Sequence, residues 1–204
     1  VIRFGNVWKR YGRSVALRGV SFTAVAGGLT VLRGANGSGK STVLRLAAGI
    51  ALPDRGHVTS EAERRTYLGH VSQMMHHLSV RDNLRQQTAL VGGDWANVAS
   101  VAGRLGVDAF WDKPVAALSR GMLQRALLVR ALAPPADIIL LDEPDTGLDD
   151  QGLLELEALL GARLQAGTCV IAALHSRALS SLTAHAVLSL RQGRLASDSQ
   201  NDVA

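Results

Sequence analysis

The nine residues Gly34-Ala35-Asn36-Gly37-Ser38-Gly39-Lys40-Ser41-Thr42 constrain this chain more than any other stretch. They fit G-x-x-x-x-G-K-S/T, between the short apolar run Leu29-Thr30-Val31-Leu32 and the apolar-periodic segment Ser41 to Ala48. Strand, glycine-rich loop and helix in that order form the context in which such a motif cradles a polyphosphate. The glycines let the backbone amides curl inward as a nest of donors, and the following helix points its positive end at the same anion. Gly34, Asn36, Gly37, Ser38 and Gly39 are therefore the candidate cradle, completed by Thr42. Lys40 is placed to neutralise the outer phosphates, and the Ser41 hydroxyl to ligate Mg²⁺. The implied cofactors are ATP and Mg²⁺.

A second element points the same way. Ile138-Ile139-Leu140-Leu141 is a fully apolar strand that ends in Asp142-Glu143. Ligands bind at the C-terminal ends of strands in open α/β sheets, so these carboxylates fall where a nucleotide would lie. Asp142 is suited to hold the metal, and Glu143 to polarise a water attacking the γ-phosphate. Alone, such a pair would often be only a strand-end cap.

Further strands are expected at Val1 to Phe4, Val15 to Leu17 through Val20 to Phe22, Tyr67 to Val71, Cys169 to Ala173 and Ala186 to Leu190, with a Gln192-Gly193 turn before Arg194-Leu195. Val80 to Ala133 carries helical spacing, broken at Gly92-Gly93, Gly106 and Pro114, and Leu153 to Leu164 reads as one helix. The expected fold is α/β: a mostly parallel sheet, antiparallel N-terminal strands and an inserted α-helical subdomain. The expected organisation is one domain over 1–204, with a nucleotide-binding core at about 1–73 and 133–204 and a helical subdomain at about 74–132.

Composition narrows the setting. At 47% hydrophobic the chain is no disordered tail, and its single cysteine, Cys169, excludes a disulfide framework and a multi-cysteine zinc site. No apolar run is long enough to span a bilayer, and the N-terminus lacks a signal-peptide layout, so a cytoplasmic protein is expected. The net charge is +5, but the basic residues are scattered and not interleaved with aromatics, so no nucleic-acid partner is expected.

With these motifs in view, the chain resembles the ATP-binding subunits of ABC transporters along nearly its whole length. Leu118-Ser119-Arg120-Gly121-Met122-Leu123-Gln124-Arg125 is similar to the signature L-S-G-G-Q-x-Q-R, and Asp142 to Asp149 reads D-E-P-D-T-G-L-D against D-E-P-x-x-x-L-D. Gln73 stands at the position of the Q-loop glutamine, His175 follows the next apolar strand, and Tyr11 falls where an aromatic ring stacks on adenine. The resemblance implies a P-loop NTPase fold and ATP hydrolysis coupled to transport. It implies a homodimer formed on ATP, each site using one copy's phosphate loop and the other's signature through Ser119 and Gly121. Asp149 would tie the two sites together, His175 would hold the γ-phosphate, and Gln73 would sense Mg²⁺ and report to integral membrane permease subunits. The expected place is the inner face of the cell membrane.

Two residues depart from the signature: Arg120 replaces its first glycine and Met122 its glutamine. Gly28 also stands where many members carry glutamate. No group needed for hydrolysis is missing. Ser-Arg-Gly-Met at 119–122, the D-E-P-D-T-G-L-D run and Tyr67-Leu68-Gly69-His70 are similar to the haem-exporter branch of cytochrome c maturation, and other small exporters of lipid, drug or other cargo share these cues. A soluble ATPase of the superfamily would be expected to carry two ATPase domains or a coiled-coil insertion, and a binding-only member to lack Glu143 or His175. Met74-Met75-His76-His77 holds residue types that ligate haem, but the same stretch suits a groove for a membrane subunit's helix. His57, His185 and Cys169 read as ordinary surface or core residues.

Overall fold

The computed structural model describes residues 1–69, 73–174, 179 and 181–196. Two sheets organise the chain. The first is antiparallel, in the order β2 (Ser14–Ala24), β1 (Ile2–Tyr11), β4 (Arg55–Ser60). The second runs β5 (Arg65–Leu68), β6 (Ile138–Asp142), β7 (Cys169–Ala173), β3 (Leu29–Arg33), β8 (Ala186–Arg191), β9 (Arg194–Leu195). Its pairings are parallel except for the closing β8–β9 hairpin.

The parallel strands are apolar because both of their faces are covered. Side chains alternate between faces, so Ile139, Leu141, Val170 and Ala172 pack into a cluster with the helices α2 (Val80–Leu90), α3 (Trp95–Arg104), α4 (Arg120–Leu132) and α5 (Asp150–Gln165). Ile138, Leu140, Cys169 and Ile171 pack on the other side against α1 (Lys40–Ala47) and the antiparallel sheet. Asp142, two residues beyond Leu140, shares the α1 side by the same period. The buried Cys169 thiol is pushed up to about 11 by desolvation and stays protonated at neutral pH.

Three strands differ from the sequence-based expectation. β1 runs seven residues past Phe4, because a bulge near Asn6 (φ 48°) shifts the register and resets which residues face inward: Ile2, Phe4, then Val7. That reset hides the alternation from a period-two reading. β4 was not expected at all. Its sequence Arg-Gly-His-Val-Thr-Ser has one apolar residue, and it is held by ladder bonds to β1 rather than by burial. The strand expected at Tyr67 to Val71 begins earlier, at Arg65, while 70–72 lie outside the described residues. The helical stretch from Val80 resolves into α2, α3 and α4, with 3₁₀ turns at Asp108–Phe110 and Val115–Ala117 between α3 and α4. Its glycine breaks are real, with Gly92 at φ 63° and Gly106 at φ 65°.

The entries to β5 and β6 are clipped together by Arg64 and Asp137. Arg64 Nη2 meets Asp137 Oδ1 at 2.6 Å, and Arg64 N donates to Oδ2 at 3.1 Å. The Arg64 guanidinium, with that backbone bond, holds the Asp137 carboxyl below its ordinary value. A depressed carboxyl stabilises the fold above its unfolded pKa and loses that contribution as pH falls through the folded value. The Tm deficit of an Asp137→Asn variant should therefore shrink as pH is lowered from 7 to about 3. A deficit constant across that range would contradict the assignment.

Candidate active site

The loop from Gly34 to Gly39 connects β3 to α1 and takes a shape that only glycine permits at two points. Gly34 has φ 147°, and a Cβ there would sit 2.3 Å from Leu190 O. Gly39 caps α1 at φ 113°, and a Cβ there would meet Ala16 O at 2.8 Å. Both spacings are closer than packing allows, so the loop is built for bare backbone.

Lys40 is 5% exposed, and its ammonium donates to Gly34 O at 2.7 Å and Ala35 O at 3.3 Å. Those acceptors are neutral carbonyls, so the buried charge is left to be matched by an anion. The Ser38 hydroxyl is also buried, with no hydrogen-bond partner. An unpartnered hydroxyl and an unneutralised ammonium on one loop fit a phosphate chain.

A cavity of about 480 Å³ opens over this loop. Asn36, Gly37, Gly39, Lys40, Ser41 and Thr42 line it from the motif, Tyr11 from the end of β1, and Glu143 from the end of β6. Sequence reading had these three stretches in one site, and the structure brings them together. Arg45 lines it too. It was missed, although it follows Ser41 by four residues and so shares its helix face. Its guanidinium pKa is raised, chiefly by the Tyr67 hydroxyl and to a lesser degree by that of Tyr11. Tyr67 itself is pushed up, chiefly by desolvation.

Glu143 adopts φ 53°, a left-handed conformation that costs a side chain about 1–3 kcal/mol and recurs at functional sites. Its N–H donates to Ala173 O at 3.0 Å, which pins the turn to β7. Asp142 is 4% exposed just before it. The Ser41 hydroxyl and the Asp142 carboxylate are hard oxygen donors, the set that Mg²⁺ takes alongside phosphate oxygens. Among the described residues no cluster of three His, Cys, Asp or Glu is arranged for an all-protein metal site.

The remaining expected residues lie elsewhere. Ser119 caps α4, its Oγ accepting from Met122 N at 3.3 Å. Gly121 approaches Gly147 so closely that a Cβ would come within 2.9 Å of Gly147 O. Neither lines the cavity. Asp149 caps α5 through Gly152 N at 2.8 Å and takes both its carboxylate oxygens to Arg125 Nη2 at 2.7 Å. Gln124 of the same helix donates to Glu143 O at 3.3 Å and Pro144 O at 3.1 Å, joining the signature helix to the carboxylate turn. His175 lies outside the described residues.

Gln73 lines a second cavity, a groove of about 680 Å³ between α2, α4 and β5. Ile50, Met75, Leu90 and Val91 line this groove and are exposed large hydrophobics. Arg130, in the same wall, has its pKa lowered by desolvation alone. Met74 is buried in the core and Met75 belongs to the groove, while His76 and His77 are exposed.

The family model for the ABC transporter matches residues 17–146. The cytochrome c biogenesis ATP-binding export protein CcmA of Hyphomonas neptunium is 33% identical over 177 residues, which cover 87% of this chain and 91% of that protein. The chain belongs to the ABC transporter family. Its activity is the ATP hydrolysis by which that family's ATP-binding subunits drive transport. CcmA of Salmonella typhi is 36% identical over 169 residues, covering 78% of this chain and 81% of its own. Among solved structures, a dimeric bacterial ABC transporter cassette superposes with a TM-score of 0.87 at 21% identity, covering 96% of each chain. A dimeric ATP-binding cassette in a post-hydrolysis state, bound to ADP and Pi, gives 0.88 at 20% identity over 100% of both. At that identity these two neighbours speak for the fold: a P-loop α/β core with an antiparallel sheet and a helical insertion. Among the described residues no helix of this ABC subunit is long and apolar enough to cross a membrane.

Proposed function

We propose that this ABC ATPase powers haem export for cytochrome c biogenesis, as a homodimer docked beneath integral membrane permease subunits on the inner face of the cell membrane. The observation that carries the cargo is the run of relatives named as cytochrome c biogenesis export proteins, matched over most of their length. The Ser-Arg-Gly-Met and D-E-P-D-T-G-L-D runs support the same branch.

The division of labour is ours as well. The core at about 1–73 and 133–204 holds the nucleotide, and the helical subdomain at about 74–132 carries the signature. The loop amides and Lys40 bind the β- and γ-phosphates, with Thr42 beside them, and Tyr11 stacks on the base. Ser41 and Asp142 would hold Mg²⁺, which when bound offsets phosphate charge, whereas Gln73, which lines the separate groove here, would report to the permease subunits. Glu143 accepts the proton of the attacking water, its carboxylate aimed by the left-handed turn. His175 steadies the γ-phosphate. Ser119 and the Gly121 amide, at the start of α4, close over the nucleotide held by a second copy. Asp149, held by Arg125, faces across that junction.

The groove beside Gln73 supports the permease reading. Exposed apolar residues clustered around one concavity mark a partner surface rather than a solvated face. Its test is a gentle-detergent pull-down of tagged Glu143→Gln protein with ATP, identified by mass spectrometry. Multi-span subunits with cytochrome c maturation proteins are expected, and Leu90→Asp should lose them while still binding ATP. Multi-span subunits of another kind would replace the cargo. Ribosomal or nucleic-acid partners alone would overturn the docking reading.

A further inference from the structure

β1 loses one of its two partners before it reaches Tyr11. Its pairing with β4 stops at Trp8 opposite Arg55, whereas its pairing with β2 continues to Tyr11 opposite Ser14. The N–H of Arg10 is thereby left without a ladder acceptor from β4, and a carboxylate takes it. Asp54 Oδ2 accepts from Arg10 N at 2.6 Å, and Asp54 Oδ1 from Lys9 Nζ at 3.2 Å. The Asp54 N–H donates to Trp8 O at 2.8 Å, so the loop entering β4 grips β1 from both sides of the gap.

The grip extends to the ring that lines the nucleotide cavity. Lys9 and Tyr11 are two residues apart on one strand, and the Lys9 ammonium lies 5.5 Å from the centroid of the Tyr11 ring. That is within cation–π range. The Lys9 side chain is only 15% exposed, so its ammonium is held rather than waving in solvent. Arg45 lines the same cavity as the Tyr11 ring. An aromatic side chain that is 45% exposed is thus held through the backbone of its own strand and over its ring.

We infer that Asp54 is a positioning residue for the nucleotide base: through Lys9 and the Arg10 amide it sets the Tyr11 ring so that a purine stacks on its free face. The inference rests on the reading of Tyr11 as the base platform. Asp54 does not line the cavity and touches no phosphate-binding residue. Its removal should cost affinity for the base and nothing for the phosphates.

Calorimetry with ADP and with inorganic tripolyphosphate separates the two, since only ADP carries a base. Asp54→Asn keeps the size of the side chain but loses the charge that holds Lys9. It should weaken ADP about three- to tenfold and leave tripolyphosphate unchanged. In a Tyr11→Ala background the same substitution should add nothing, because the ring it positions is gone. Equal weakening of ADP and tripolyphosphate, or additive effects of the two substitutions, would overturn the inference by making Asp54 a general structural support. Tyr11→Ala weakening ADP while Asp54→Asn does not would overturn it and spare the platform. Tyr11→Ala with unchanged ADP affinity would remove the platform itself and the inference with it.

Discussion

Glu143→Gln protein is expected to bind ATP as tightly as the unsubstituted chain and to lose about 10³-fold in turnover. The substitution is nearly isosteric, so the left-handed turn at φ 53° and the bond from Glu143 N to Ala173 O should survive it. What disappears is the basic oxygen that takes a proton from water. The amide cannot replace it, because its nitrogen donates and its oxygen is only weakly basic. Binding is untouched because the phosphates are held by the loop amides and Lys40 rather than by Glu143. Single-turnover hydrolysis beside equilibrium ATP binding reads both quantities. Turnover within a few-fold of normal would take the base assignment away from Glu143.

Lys40→Ala should act at the earlier step, lowering ATP affinity by about a hundredfold or more. The Lys40 ammonium is buried and held toward the loop carbonyls of Gly34 and Ala35, so it is already placed where a phosphate oxygen would arrive. A buried cation beside an arriving polyanion contributes far more than one in water, because little solvent screens it. Fold stability should not fall with affinity: removing an ammonium that is only partly satisfied relieves a desolvation cost even as it opens a small void. Equilibrium dialysis with ATP, beside thermal unfolding, separates loss of binding from loss of structure. Retained tight ATP binding would contradict the phosphate-loop assignment.

Much of the site could be read along the chain because its chemistry is local. The phosphate loop is one run of residues whose glycines have no other use, and Asp142-Glu143 ends an apolar strand whose burial is evident from its composition. The helical breaks at Gly92 and Gly106 were legible for the same reason, each being a left-handed position that glycine fills without strain. Legibility failed where structure is held by pairing rather than by pattern. β4 is polar and exists because β1 offers it a ladder, and the second half of β1 was masked by the Asn6 bulge. Arg45 was passed over because an arginine on an amphipathic helix ordinarily marks the solvated side; here that side is the wall of the nucleotide cavity.

The phosphate-binding loop, the carboxylate turn, the signature run and the order of the elements other than β4 are legible along the chain, since each depends on neighbours within one turn or one strand. What meets across the chain follows from the packed fold. It brought Tyr11 and Glu143 to one cavity, joined Arg125 to Asp149, and brought Asp54 to the open edge of β1. It also put Gln73 on the wall of a separate groove. Such contacts between residues far apart in sequence follow from strand register and sheet twist, and these are fixed by the packing of whole faces rather than by any local run of residues.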